Sequence, residues 1–323
     1  METVTIDLLD RKIAHALQLD GRAPFNVIAE ALGVSDQTVA RRYRRLRSAG
    51  ALRVVGLPDP ARVGQVVWAL RLRCAPDAAA PIADALARRP DTSWVSLTSA
   101  GTEIVCFARA HGPRLRDAPL LDRLPRTPKV IAVTAHCLLH MFAGGPTGWR
   151  RRTEALAPEQ VRRLRRDPPT GTGTLTLSAA DEALLAELAL DGRTGYPELA
   201  AATGWSPSTV QRRLEHLRAT GALFFDVDID PELLGYPAEA VLWLSVPPTR
   251  LSLVGATLAA HPEVALAAAT TGPANLIALV GCRDVHDLYG YITTRLGDIE
   301  AIEHLETAPV IEHLKRSGAL LGP

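Results

Sequence analysis

The stretch DRKIAHALQLDGRAPFNVIAEALGVSDQTVARRYRRLRSAGAL, residues 10–52, returns as DEALLAELALDGRTGYPELAAATGWSPSTVQRRLEHLRATGAL at 181–223. Laid over each other without a gap, at a shift of 171, the two agree at 19 of 43 positions. Chance agreement at ordinary residue usage is about two or three. The core of the match is Leu19-Asp20-Gly21-Arg22 on Leu190-Asp191-Gly192-Arg193. Beyond it the match thins but continues. Asp59-Pro60 and Gly64 fall on Asp230-Pro231 and Gly235, and at a shift of 172 Leu86, Pro90, Thr98 and Leu124 fall on Leu258, Pro262, Thr270 and Leu296. The 323 residues are therefore two copies of one unit. The period is far too long for a solenoid repeat, so a whole module has been duplicated.

The front of each copy reads as three short helices. Ile6, Leu9, Ile13 and Leu17 have helical spacing, and Gly21 stops that helix. Val27, Ile28, Ala31 and Leu32 make a second, ended by Gly33. Ser35 is placed to cap a third by accepting a bond from a free backbone N–H. In the second copy Ser206 takes that place, with Pro207 in the first turn, where proline suits a helix. A short second helix, a turn containing glycine and a third helix form the helix-turn-helix layout.

The third helix carries the chemistry. Val39, Tyr43 and Leu46 form its buried stripe, and the opposite face holds Gln37, Arg41, Arg44 and Ser48, with Arg45 beside them. A solvated face mixes signs at i, i+4; this one has five Arg between 41 and 47 and no acid after Asp36. Arg can grip guanine bidentately and Gln can grip adenine, while further Arg and helix N-termini hold phosphates. The candidate DNA contacts are Ser35, Gln37, Thr38, Arg41, Arg42, Arg44 and Arg45 in the first copy, and Ser208, Thr209, Gln211 and Arg212 in the second. In the second copy Glu215 replaces Arg44 and His216 replaces Arg45. There a helix-turn-helix kept only for packing or spacing stays open.

The back of each copy is small and mixed. Strand-rich runs at 66–73, 92–98, 104–108 and 130–139 alternate with helical patterns at 78–89 and 114–124, and the second copy repeats the order at 240–246, 253–260, 264–270, 276–280, 285–295 and 302–312. The order βαββαβ is the ferredoxin-like layout. Helices cover one face of such a sheet, and the bare face needs a partner: the other copy or another molecule. The expected fold class is α+β, with two copies of a winged or helix-turn-helix three-helix domain, each followed by a ferredoxin-like domain. The expected domains are 1–53, 60–149, a basic linker at 150–173, 174–225 and 230–323.

Charge then becomes informative. The chain has 36 Lys plus Arg against 35 Asp plus Glu, a formal +1. Residues 1–149 sum to +7, residues 150–172 to +4 and residues 173–323 to −10. A neutral total therefore hides a basic front, as expected of a chain that meets phosphate.

These residues resemble the Lrp/AsnC family of transcription regulators, twice over and across nearly the whole chain. The resemblance rests on Asp181, Leu184, Leu188, Asp191-Gly192-Arg193, Leu199-Ala200, Gly204, Ser206, Val210, Arg213, Leu217 and Gly221 in the second copy. The first copy matches through Asp10, Ile13, Leu17, Asp20-Gly21-Arg22, Ile28-Ala29, Gly33-Val34-Ser35, Val39, Arg42, Leu46 and Gly50. It implies double-stranded DNA as partner and a small-molecule effector, an amino acid or related metabolite. It also implies assembly through the sheet, here a homo-oligomer or an intrachain pseudo-dimer. The family's effector loop, T-G-x-x-D, corresponds to Thr270, Thr271, Gly272 and Asn275, and in the first copy to Thr98, Gly101 and Glu103. Asn275 stands where the pattern has Asp, and a neutral amide cannot pair with an ammonium as a carboxylate does. Two unlike heads in one chain imply asymmetric DNA, since palindromes suit symmetric dimers.

Three other readings compete. Sirohaem decarboxylases resemble the same two-part fold and would use His and Arg on a carboxylated tetrapyrrole; His261, His304 and His313 are available. A metal sensor would use His136 and His140 around Cys137, but on a strand such residues lie about 13 Å apart. A structural protein without DNA binding leaves the Arg face without a purpose. Cys74, Cys106, Cys137 and Cys282 lack CxxC spacing, so free thiols are expected. No signal pattern, membrane-length apolar run, Walker loop or GxGxxG after a strand occurs, so a cytoplasmic, cofactor-free, non-enzymatic regulator is expected.

Overall fold

The computed structural model describes residues 5–75, 77–111, 119–145, 155–171 and 173–320. The first copy runs α1 (Leu8–Leu19), α2 (Phe25–Leu32), α3 (Asp36–Ser48), β1 (Leu52–Pro58), β2 (Val66–Cys74), α4 (Ala79–Ala87), β3 (Thr92–Thr98), β4 (Glu103–Ala110), α5 (Pro119–Arg123) and β5 (Val130–Ala143). The link carries α6 (Pro158–Leu164). The second copy runs α7 (Ala179–Leu190), α8 (Tyr196–Thr203), α9 (Pro207–Ala219), β6 (Leu223–Ile229), β7 (Ala238–Ser245), α10 (Leu251–Ala260), β8 (Val264–Thr270), β9 (Leu276–Cys282), α11 (Val285–Gly290), β10 (His304–Arg316) and the short β11 (Ala319–Leu320). The helix expected over 114–124 is described from Pro119 only; 112–118, Arg150-Arg151-Arg152 and Thr172 lie outside the described residues.

The chain divides into two compact units, and each takes half of both copies: Met1–Gly64 with Arg150–Leu234, and Gln65–Trp149 with Gly235–Pro323. In the first unit, two helical heads are joined by an antiparallel ribbon absent from the sequence reading. β1 pairs with β6 over their full length, from Leu52↔Ile229 to Pro58↔Leu223. Helix ends fall where capping chemistry puts them. Asp7 caps α1, so Ile6 stays outside the helix, and Ser35 and Ser206 cap α3 and α9 by accepting from the N–H of Thr38 and Thr209. Gly33 and Gly204 end α2 and α8 in the left-handed conformation, at φ 69° and 73°.

In the second unit the last strand of each ferredoxin-like motif serves both copies. β5 pairs with β2 through Val130–Cys137 and then with β8 through Leu138–Ala143. β10 pairs with β7 through His304–Pro309 and then with β3 through Val310–Lys315. The ladder β3-β4-β2-β5-β8-β9-β7-β10 thus closes on itself, which leaves none of these strands as an open edge. This double duty is why β5 and β10 run longer than the expected 130–139 and 302–312: each needs backbone for two partners. The bare sheet faces meet in a shared apolar layer of Ala69 and Val105 from one copy and Val241, Trp243, Ala268 and Ile277 from the other. α4 and α5 cover the outer face of the first motif, and α10 and α11 that of the second. The partner required by each bare face is therefore the other copy of the same chain. No helix of the described residues is long and apolar enough to cross a membrane.

Candidate nucleic-acid interface

In each head one buried carboxylate ties the first helix to the third. Asp10, 1% exposed, accepts from Arg45 at 2.6 Å and lies 3.3 Å from Arg42, which also reaches Asp7 at 2.6 Å. The backbone N–H of Asp10 and the Arg42 guanidinium hold the Asp7 carboxyl below its ordinary value, and Asp7 in return raises Arg42. In the second head Asp181 takes the same place and is gripped by Arg213 at 2.7 and 2.8 Å. Burial pushes the Asp181 carboxyl up, but Arg213 and Ser178 outweigh it, and the net direction is down. The repeated Asp and Arg, 32 positions apart, are thus one structural pair seen twice.

The repeated Asp-Gly-Arg turns form a reciprocal clasp between the heads. Arg22 donates to the carbonyls of Gly192 and Thr194 at 2.8 and 3.0 Å, and Arg193 donates to those of Gly21 and Ala23 at 2.7 and 3.0 Å. Each guanidinium also lies over an aromatic ring of the opposite head: Arg22 over Tyr196, and Arg193 over Phe25. Burial lowers the pKa of both arginines. A Cβ on Gly21 would stand 2.6 Å from Phe225 Cβ, and one on Gly192 would stand 3.0 Å from Val54 Cγ1. Two ion pairs repeat the symmetry: Arg47 with Asp191 at 2.7 Å and Arg218 with Asp20 at 2.5 Å.

What remains on α3 is an open groove of about 1000 Å³ lined by Gln37, Arg41, Arg44, Arg45, Arg47 and Ser48. Among the described residues Arg41 and Arg44 have no acidic partner; Arg44 only donates to the Ala40 carbonyl at 3.2 Å. Ser35 and Thr38 are occupied with the helix cap, their hydroxyls 2.9 Å apart. Of the candidates read from the sequence, Gln37, Arg41 and Arg44 therefore stand together on the outer face. Arg42 is turned toward α1, and Arg45 lines the groove while bonded to Asp10. Arg47 and Ser48 join the groove and were absent from the candidate contacts; the Arg run was the signal for Arg47, and helical spacing had already put Ser48 on the outer face. On α9 a smaller groove of about 370 Å³ is lined by Trp205, Thr209, Arg212, Arg213 and His216. Ser208 and Thr209 bond to the cap Ser206 at 3.0 and 2.9 Å, and Gln211 is exposed. Trp205 was missed: an aromatic just before a cap was the available sign.

The effector-loop candidates form two clusters in the other unit. Glu103, backed by Thr98, accepts from Arg71 at 3.0 Å and from Ser99 at 3.1 Å, and Arg71 also reaches Glu306 of the second copy at 2.6 Å. Arg71 holds the Glu306 carboxyl below its ordinary range. Ser99, Ala100 and Gly101 turn the loop through three successive positive φ angles of 53°, 56° and 77°. In the second copy Thr271 donates its N–H to the Cys137 carbonyl and accepts from the Cys137 N–H, both at 2.9 Å. His136 Nδ1 donates to the Thr271 carbonyl at 2.7 Å, and its ring leaves no room for a Cβ on Gly272. Thr270 donates to the Ala274 carbonyl at 2.9 Å. The Asn275 amide bonds both the N–H and the carbonyl of Val246, at 3.0 and 2.7 Å. The two clusters approach through Trp243, whose ring lies 5.8 Å from Arg71 and 5.0 Å from His136. His136 and His140 do lie on one strand, with His136 buried and His140 exposed.

Models of the AsnC-type helix-turn-helix domain match residues 6–47 and 177–218, and that of the Lrp/AsnC ligand binding domain matches residues 239–320. An uncharacterized HTH-type transcriptional regulator of Pyrococcus furiosus is 30% identical over 143 residues, 44% of this chain and 96% of that protein. The chain belongs to the Lrp/AsnC family. The HTH-type transcriptional regulator FL11 of Pyrococcus horikoshii is 28% identical over 145 residues, 45% of this chain and 95% of its own length. Each relative thus corresponds to one copy of the Lrp/AsnC unit found here twice. Among solved structures the sirohaem decarboxylase NirDL superposes with a TM-score of 0.65 at 14% identity, covering 95% of this chain and 92% of that one. At that identity the likeness shows a shared fold.

Proposed function

We propose that this Lrp/AsnC-type transcription regulator binds double-stranded DNA asymmetrically, with the first head in the lead. The observation that carries the reading is the outer face of α3, where Gln37, Arg41 and Arg44 stand exposed, with no acidic partner among the described residues. On α9 the position of Arg44 is Glu215, so phosphate attraction favours α3. Within the second head Ser208, Thr209, Gln211 and Arg212 remain the contacts. A small metabolite, an amino acid or a related compound, modulates binding through Thr98, Gly101 and Glu103 or through Thr270, Thr271, Gly272 and Asn275. The match to a ligand binding domain supports this reading, and the Asn275 amide, already engaged by Val246, argues against a free ammonium as its partner. A selection from random duplexes, run with and without amino acids, tests both parts. Enrichment of no sequence over the input pool refutes DNA reading, and identical enrichment with every metabolite refutes modulation.

The fold likeness to NirDL favours one rival, a tetrapyrrole enzyme of the sirohaem-decarboxylase kind. One cavity between the sheet faces, lined by Trp94, Ser96, Phe107, Val241, Leu266 and Ile277, is about 10 Å³, which admits one water at most. His313 is spent between Ser96 and Glu239, at 2.7 Å from each, and His261 lies 3.1 Å from the Tyr291 hydroxyl. An absorbance titration with a carboxylated iron tetrapyrrole decides: a saturable spectral shift favours the enzyme.

A further inference from the structure

The link between the copies is bound to both heads. At its first described residues the N–H groups of Ala155 and Leu156 both donate to His15 of α1, at 3.2 and 3.3 Å. Gln160 of α6 donates to the Ala31 carbonyl at 2.8 Å, at the end of α2 and directly before the turn into α3. Leu164, 4% exposed, anchors the helix below. The chain then crosses to the second head. Arg166 reaches Glu215 on the outer side of α9 at 2.8 Å and Asp20 at 3.8 Å. Thr170 donates to the Ala219 carbonyl at 3.0 Å, and Gly171 lies so close to Thr220 that a Cβ would stand 2.6 Å from its carbonyl oxygen. One segment is therefore fastened beside the turn that presents α3 and at the last turn of α9.

Its charge is positive and outward. Residues 158–167 carry Arg162, Arg163, Arg165 and Arg166 against Glu159 and Asp167. Arg162 and Arg163 are 70% and 58% exposed and share the single Glu159, while Arg165 is exposed. Ion pairs exposed at both ends hold weakly and yield to a phosphate. Arg166 offsets Glu215, the acid that stands on α9 where α3 has Arg44; Arg218 lies 3.6 Å from the same carboxylate.

We infer that this strap is a third element of the DNA interface: Arg162, Arg163 and Arg165 take backbone phosphates beside the first head, and Arg166 neutralises Glu215 so that α9 can approach. The inference rests on the DNA-binding reading above. The test uses the full chain and a labelled duplex of random sequence, with affinity measured across salt. Three lost phosphate contacts make the log–log salt slope shallower by about 2.7, so between 50 and 200 mM salt the wild type loses about 40-fold more affinity than R162A/R163A/R165A. The thermal midpoint of the variant stays at the wild-type value, because Gln160 and Leu164 are untouched. An unchanged slope overturns the strap. R41A/R44A is run beside it: if that variant weakens binding and the strap variant does not, only the strap fails. If neither variant differs from wild type, the DNA-binding reading fails with it.

Discussion

Replacing Arg41 and Arg44 together with Ala separates the reading function of α3 from its structural one. Its Arg run divides by partner. Arg42 is bonded to Asp7 and near Asp10, Arg45 is bonded to Asp10, and Arg47 is bonded to Asp191, whereas Arg41 and Arg44 face outward with no acid among the described residues. A bidentate guanidinium–guanine contact is worth about 1–3 kcal/mol, so two such contacts weaken specific binding by about 30-fold to 10⁴-fold. If one meets phosphate instead, the salt slope falls by about 0.9. The melting temperature should not move, since neither side chain packs in the core. Arg42→Ala is the mirror experiment. It strips Asp7 of its ion pair and removes one of two guanidinium groups from buried Asp10, so it should cost stability, about 1–3 kcal/mol for a poorly satisfied buried group. Fluorescence anisotropy on a selected duplex and thermal melting by circular dichroism measure the two sides. The reasoning is refuted if R41A/R44A binds within about twofold of wild type, or if R42A loses DNA while melting unchanged.

Footprinting on a selected site should protect one half-site more strongly than the other; equal protection of two symmetric half-sites refutes the unequal heads. Gly21→Ala should destabilise the first unit by about 1–3 kcal/mol, because its Cβ would overlap Phe225 across the clasp; a melt identical to wild type counts against the clasp. Burial lowers Lys315 to about 8 from 10.5, while its ammonium donates to the Arg89 carbonyl at 2.6 Å. The unfolded chain then holds the extra proton between those values, so this residue makes stability rise with pH across that window, by about 3 kcal/mol in all. Cys106, pushed up to about 12 by burial, acts in the opposite sense above 9. The measured quantity is therefore wild type minus Lys315→Met, and a flat difference refutes it. Asp181 works at the acid end. Its folded value lies below the ordinary 3.8, so its contribution is present above that value and is lost as pH falls through the folded one. Arg213→Ala should shift acid unfolding upward in pH, and an unmoved acid transition sinks the pair.

Most of the local structure was legible from short-range rules. Helix caps at Ser35 and Ser206, the stop at Gly33, and the stripe of Val39, Tyr43 and Leu46 follow from cap side chains, glycine backbone freedom and helical spacing, all acting within about a turn. The outward set Gln37, Arg41, Arg44 and Ser48 was equally legible, because a helix sorts its faces by angle alone. The partners of Arg42 and Arg47 were not. Their acids lie 35 and 144 positions away, and the periodicity of α3 carries no information about either. The ribbon of β1 and β6 was missed for a related reason: seven residues after a helix become a strand only because a matching seven lie opposite.

The sequence by itself determined that the chain is one module written twice, what each module is made of, and that its net positive charge lies at the front. Duplication, capping and amphipathic spacing are local or self-referential signals, readable along a line. Only the tertiary structure decided that the copies do not fold as separate beads. Head pairs with head through reciprocal Arg22 and Arg193 clasps, and sheet pairs with sheet through strands shared half and half. The physical reason is that a bare sheet face and an unpaired ribbon strand each require a complementary surface. Here that surface is the other copy, about 170 residues away along the chain.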